Sequence, residues 1–193
     1  MERYFSRYNG MLLTDALAEA VLRTVLVSAP VVLAQPDNYQ HRAQLMWAGS
    51  LSHNDLTECG YEKDFAVHRL EHELSAEFNV THGAGLAALW ASWARYVLPG
   101  HEARFAQFAV RVMGVAPAGS DEATACRGID AVEAFFASIG MPVGIVQLLG
   151  RPVTDGEIDL RVERCSRGGT FTIGALVKFG PRQMADVYRL ANR

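Results

Sequence analysis

Cysteine is scarce: three in 193 residues. Cys59, Cys126 and Cys165 are odd in number, widely spaced and without a CxxC pair. That excludes a disulfide framework and fits a reducing, cytoplasmic setting. Charge of one sign is also lacking. Eighteen Lys and Arg stand against 21 Asp and Glu, a net charge of −3, so nothing drives the chain generally towards nucleic acid or an anionic membrane. No apolar run reads as the ~20 residues of a membrane span. Val25 to Ala34 is interrupted by Ser28 and Pro30, and Ala84 to Leu98 contains Arg95. The start, Met1-Glu2-Arg3-Tyr4-Phe5-Ser6-Arg7, is charged and short of an apolar signal-peptide core. Neither a nucleic-acid nor a membrane partner is expected. β-Alternation, internal repeats, a P-loop, a GxSxG elbow and a HExxH helix are absent from the sequence as well.

What is present is helical punctuation. Half the residues are apolar and one fifth are charged, an ordinary globular balance. A chain of this length buries roughly 70% of its unfolded surface without staples. Thr14-Asp15 opens an apolar run to Leu33 in which Pro30 should break or kink the helix. A second helix is expected from Tyr39 to Cys59, closed by Gly60. Others are expected over Asp64 to Phe78, Gly83 to Leu98, Ala103 to Met113 and Asp121 to Ile139. Thr154 and Glu157 form a capping box for a helix through Arg164, and Pro181 starts the last helix. The expectation is one compact all-α domain of about seven or more helices.

Three of the six histidines, His68, His72 and His82, fall within 15 positions. At roughly 100° per residue, Val67, Leu70, Leu74 and Phe78 share one apolar stripe and the first two histidines point roughly 120° away from it. Being four apart, His68 and His72 share a helix face, and the turn Asn79-Val80-Thr81 can fold His82 back towards them. Neutral imidazoles suit Zn²⁺ or Fe²⁺; solvated histidines that bind nothing fit the bare spacing equally well. Gly83-Ala84-Gly85-Leu86-Ala87-Ala88 matches GxGxxA, but no strand precedes it, so a dinucleotide fingerprint is not expected. Glu73 and Glu77 read as a solvated face, and Cys165 lacks a histidine partner for nucleophilic work.

The segment Asp64-Phe65-Ala66-Val67-His68-Arg69-Leu70-Glu71-His72-Glu73-Leu74-Ser75-Ala76, continued by Val80-Thr81-His82-Gly83-Ala84-Gly85-Leu86-Ala87, resembles the histidine signature of the iron-containing (group III) alcohol dehydrogenases. It is most similar to their butanol-dehydrogenase-like, NAD(P)H-dependent aldehyde reductase branch. Asn38-Tyr39, Arg42 and Leu45-Met46-Trp47-Ala48 upstream, Arg104-Phe105-Ala106-Gln107, Gly168-Gly169-Thr170 and Asp186-Val187-Tyr188 extend the likeness over nearly the whole chain.

The resemblance implies a dehydroquinate-synthase-like C-terminal helical domain over residues 1–193, with the Rossmann-like cofactor domain absent from this sequence. It implies that His68 and His82 are two of four ligands to a divalent metal, Fe or Zn. His72 then lies beside the metal, towards substrate or nicotinamide, as the catalytic-side histidine. Phe65, where this branch commonly has tryptophan, and Asp64 fall on the substrate side. No residue of this half is assigned to cofactor binding, and NAD(P) would be held mainly by the absent domain. The implied substrate is a small alcohol or aldehyde, and the implied partners are the missing domain and further copies in a homo-oligomer. The isolated chain is then expected to be inactive. Two readings compete with this one: a non-catalytic helical interaction module of the same fold, and a metal-binding helical protein without redox chemistry. A domain separated from its partner should expose more apolar surface than the few hundred Å² normal for a monomer.

Overall fold

The computed structural model describes residues 1–7 and 10–193. After a short 3₁₀ turn at Glu2–Tyr4, nine α-helices follow among the described residues. They are α1 (Leu12–Ala34), α2 (Tyr39–Leu51), α3 (Ala66–Phe78), α4 (His82–Val97), α5 (Glu102–Arg111), α6 (Asp121–Ser138), α7 (Ile145–Leu149), α8 (Asp155–Cys165) and α9 (Pro181–Ala191). The β content among these residues is a single antiparallel bridge between Ile173 and Phe179, so the fold is all-α.

The expected helix ends hold to within two residues for most elements, with three differences. Pro30 lies inside α1 without ending it. Proline forbids only its own N–H bond and crowds one carbonyl; bonding resumes beyond it, with the Gln35 N–H donating to the Val31 carbonyl at 2.7 Å. α2 ends at Leu51 rather than Cys59. Here Ser52 Oγ and His53 Nδ1 both bond the Gly49 carbonyl, at 2.8 and 2.9 Å. Side chains that capture a backbone acceptor compete with the next helical turn. Asp55 and Gly60 then take positive φ, 67° and 80°, in the turns that replace the helix end. α7 is an additional helix, five residues between Gly144 and a left-handed Gly150, too short for a helical period to show in the sequence.

The described residues form two compact units, each assembled from two stretches of chain. One comprises Met1–Asp64 and Glu102–Ile139, the other Phe65–His101 and Gly140–Arg193. In the first, α1 packs along α2 and α5 along α6. Gly128 allows the closest approach there, since a Cβ on it would lie 2.4 Å from Ala109 Cβ. An apolar cavity of about 330 Å³ remains, bordered by Leu22, Leu26, Phe108, Phe135 and Phe136. α1 is long and apolar enough by composition to cross a membrane, yet its polar residues Asp15 and Glu19 are buried within this unit.

Those two carboxylates belong to a network built on Arg104 of α5. Its guanidinium donates to both Asp15 oxygens at 2.7 Å and twice to the Tyr4 carbonyl, at 3.0 and 2.6 Å. It also lies 3.8 Å from the Tyr4 ring centroid. Gln107 donates to the Tyr4 hydroxyl, Asp15 and Glu19 at 2.8, 3.0 and 3.1 Å. Phe5 stacks on Phe105 at 4.2 Å, so residues 4 and 5 are fixed to α5 by both polar and aromatic contacts. Burial alone would raise the Asp15 carboxyl; hydrogen bonds from Arg104, Gln107 and Tyr61 hold it below its ordinary value.

The second unit is centred on α4, where Ala87 to Ala94 are all buried. α3, α7 and α9 pack on α4, and α8 lies against α3 and α9. Tyr188 of α9 donates to the Leu70 carbonyl of α3 at 2.6 Å. Thr154 and Glu157 form the expected capping box of α8. Arg161 of α8 is fully buried, its guanidinium 4.5 Å from the Phe78 ring.

Asp15→Asn leaves Arg104 without its counter-charge and is expected to lower the unfolding free energy at neutral pH by about 3–5 kcal/mol. Because the folded carboxyl titrates below the unfolded one, the wild-type contribution is complete above the unfolded value of about 3.9 and fades as pH falls through the folded value. Urea unfolding between about pH 5 and pH 2 checks this: the variant's midpoint should fall less steeply than the wild type's.

Candidate metal centre

The site grows from the α3–α4 hairpin. α3 buries Val67, Leu70 and Leu74 completely, the stripe read from the sequence, with Phe78 half-buried. It ends at Asn79 in the left-handed conformation (φ 51°, ψ 39°), whose N–H bonds the Ser75 carbonyl at 3.0 Å. Asparagine tolerates this conformation better than most residues. Thr81 then enters extended backbone as the N-cap of α4. The chain therefore reverses within three residues, and His82, first residue of α4, comes back beside α3.

The three histidines come together. Ring centroids of His68 and His82 are 5.3 Å apart, those of His72 and His82 5.4 Å, and those of His68 and His72 6.4 Å. His72 and His82 are exposed and His68 half-buried. Phe65 sets its ring edge-on to His68 at 5.2 Å. Asp64 is fully buried and presents no surface of its own. Burial lowers the His72 pKa below the ordinary imidazole value, with His82 and His68 adding to the effect against the pull of Glu71. His72 is therefore neutral at neutral pH.

Glu71 joins the three histidines, although the histidine spacing does not single it out. It is completely buried, and its two oxygens have separate partners: Ser75 Oγ donates to one, and His82 Nδ1 pairs with the other. One ligand-capable atom from each of Glu71, His72 and His82 lies within 4.8 Å of the other two. The signal was in the spacing. Glu71 follows Val67 by four and precedes Leu74 by three, so it occupies a core position of the apolar stripe. Imidazole nitrogens brought together in this way are donors that suit Fe²⁺ or Zn²⁺, while both oxygens of Glu71 are already engaged by Ser75 and His82.

Gly85, the second glycine of the GxGxxA match, has a packing role. A Cβ there would come within 2.6 Å of Glu71 Oε1 and 2.7 Å of its Cγ. A helix and turn, not a strand, precede these glycines. Glu77, expected as a solvated acid, pairs with Arg161 and Arg164 at 3.3 and 3.5 Å.

Cys165 is buried, and burial pushes its thiol pKa up to about 11. A thiol kept protonated is a poor nucleophile. Iodoacetamide applied to the folded protein at about pH 8 should modify Cys59 and Cys126, both exposed, and leave Cys165 untouched until denaturant is added. Intact-mass spectrometry reads the difference; rapid native labelling of all three thiols would contradict it.

A sequence profile of the Fe-containing alcohol dehydrogenase family, C-terminal, matches residues 1–151. The chain is 34% identical over 171 residues to the probable NADH-dependent butanol dehydrogenase 1 of Bacillus subtilis, covering 88% of this chain and 43% of that protein. With the NADH-dependent butanol dehydrogenase A of Clostridium acetobutylicum it shares 30% identity over 189 residues, covering 97% of this chain and 48% of that one. Among solved structures, the aldehyde reductase YqhD of Escherichia coli superposes with a TM-score of 0.90 at 27% identity, covering 98% of this chain and 49% of that one. The butanol dehydrogenase A of Thermotoga maritima gives 0.89 at 26% identity, covering 100% and 49%. The chain thus spans about half the length of these relatives.

Proposed function

The chain belongs to the Fe-containing alcohol dehydrogenase family, and from that premise we propose that residues 1–193 are the metal- and substrate-side helical domain of an NAD(P)-dependent alcohol dehydrogenase or aldehyde reductase. The observation that carries the proposal is the convergence of His68, His72 and His82 from two helices, with a buried carboxylate against one of them. In this reading His68 and His82 hold a divalent ion through imidazole lone pairs. The ion, Fe²⁺ or Zn²⁺, supplies Lewis acidity to the alcohol or aldehyde oxygen.

His72, neutral and beside the pair, faces substrate or nicotinamide and orients the reacting group. Phe65, edge-on to His68, provides an apolar wall on the substrate side. Asp64, fully buried at the start of the same segment, is assigned to the substrate side by the family likeness alone. The reaction class is hydride exchange between NAD(P)H and a carbonyl carbon, with a proton joining the oxygen as the alcohol forms. NAD(P) is held mainly by a Rossmann-like domain outside these 193 residues, which also brings the remaining metal ligands. A homo-oligomer in the cytoplasm completes the proposal.

Exposed apolar side chains on the first unit support a domain that is covered in the whole enzyme. Leu12 and Leu13 at the start of α1 are about three-quarters exposed, as is Met46 of α2, and Trp47 beside it is 62% exposed. Surfaces of this kind mark interaction sites.

The test is reconstitution. Purified 1–193 alone should give no NADH or NADPH oxidation with butanal above background. Co-expression with the N-terminal half of a butanol dehydrogenase relative should restore metal-dependent turnover. His82→Ala in that complex should then lower it at least about a hundredfold, as loss of a metal ligand does. Turnover by the isolated chain, or restored turnover indifferent to His68→Ala and His82→Ala, would contradict the proposal. A well-formed but inactive complex would favour the non-catalytic module.

A further inference from the structure

We propose that Glu71 is a positioning residue of this centre: by accepting the Nδ1–H of His82 it fixes the tautomer and rotation of that ring, so that Nε2 presents its lone pair outward. The inference rests on the functional reading above and goes further, because that reading assigns Glu71 no role. Four observations converge on it. The carboxylate is fully buried at a position of the α3 stripe where an apolar side chain would pack without desolvating a charge. Each oxygen has its own partner, Ser75 Oγ and His82 Nδ1. The neighbouring helix lacks a side chain where the carboxylate lies, since a Cβ on Gly85 would collide with Oε1, Cγ and Cδ at 2.6, 2.7 and 3.0 Å. The αL turn at Asn79 delivers His82 to this spot.

The chemistry follows from the two imidazole nitrogens being distinct. When one is held as a donor to a carboxylate, the other carries the lone pair, and the ring is oriented and made more basic as a ligand. Around half of the His82 side chain is exposed while Glu71 is sealed, so the fixed nitrogen lies on the protein side and the free one on the solvent side. An alternative role, a bare structural tie between α3 and α4, predicts lost stability alone.

The experiment uses the full 193-residue chain with Zn²⁺ as the probe. Nitrogen-15 histidine spectra at about pH 8, where imidazole is neutral, read the His82 tautomer; Zn²⁺ titration followed at the His82 signals gives site-specific affinity. In the wild type His82 should be the Nδ1–H tautomer. Glu71→Ala should release it to a mixture of tautomers and weaken Zn²⁺ about 10–100-fold. Glu71→Gln, which keeps an acceptor oxygen, should retain the tautomer and lose less affinity. Gly85→Ala, which displaces the carboxylate without removing it, should reproduce the tautomer change and covers the case in which Glu71→Ala fails to fold. His82→Ala isolates the underlying reading: if it leaves Zn²⁺ affinity at the histidines unchanged, the metal assignment itself falls. If His82→Ala weakens binding but the Glu71 and Gly85 variants leave both tautomer and affinity alone, the metal assignment stands and the positioning role is overturned. Loss in Glu71→Gln as deep as in Glu71→Ala, with the tautomer unchanged, would make Glu71 a direct ligand and overturn it equally.

Discussion

A carboxylate sealed between two helices governs the arrangement of the α3–α4 hairpin. Glu71 has no solvent to satisfy it, so its oxygens require donors from the protein, and Ser75 and His82 supply them. An unpaired buried charge costs several kcal/mol, and the hairpin geometry that brings His82 within reach is therefore strongly preferred over one that splays α4 away. Asn79 permits the reversal by adopting left-handed backbone, and Gly85 leaves the volume that the carboxylate fills. The same contacts set His82 beside His68 and His72. Folding and the candidate chemistry draw on one group of atoms.

The first unit follows a comparable rule with different groups. Arg104 gathers Tyr4 and Asp15 around one guanidinium, and Gln107 ties Glu19 and the Tyr4 hydroxyl to the cluster. Bidentate pairing suits the fork of arginine, and burial strengthens it. This explains how α1, apolar over most of its length, carries two buried acids near its start. They anchor α1 and the first residues of the chain to α5.

Helices were legible in the sequence because their period, caps and breakers are local. The Thr154–Glu157 box, Pro181 and the acidic start of α6 all stand where their chemistry put them. The failures were also local and have physical causes. Pro30 is accommodated inside α1 rather than breaking it, and the capture of the Gly49 carbonyl by Ser52 and His53 shortens α2. At the site, the histidine spacing and the family likeness singled out His68, His72 and His82, and the fold brings the three rings together. Glu71 does not stand out from the other carboxylates of α3 in the sequence because its partner His82 is eleven residues away and on the next helix, a pairing that only the turn creates. Its place in the apolar stripe was the available clue. Gly85 matches a nucleotide fingerprint in letters alone, since no strand precedes it, and its neighbour across the hairpin supplies the packing reason for the glycine.

The central claim is that His68 and His82 share a divalent ion. Crystals of the 193-residue chain grown with Zn²⁺, with anomalous differences collected at the zinc edge, test it most directly. The account predicts an anomalous peak about 2.0–2.2 Å from one nitrogen of each ring, His72 beside it and Glu71 still bonded to His82 Nδ1. A peak bound only elsewhere on the chain, with the three histidines free of metal, would contradict it.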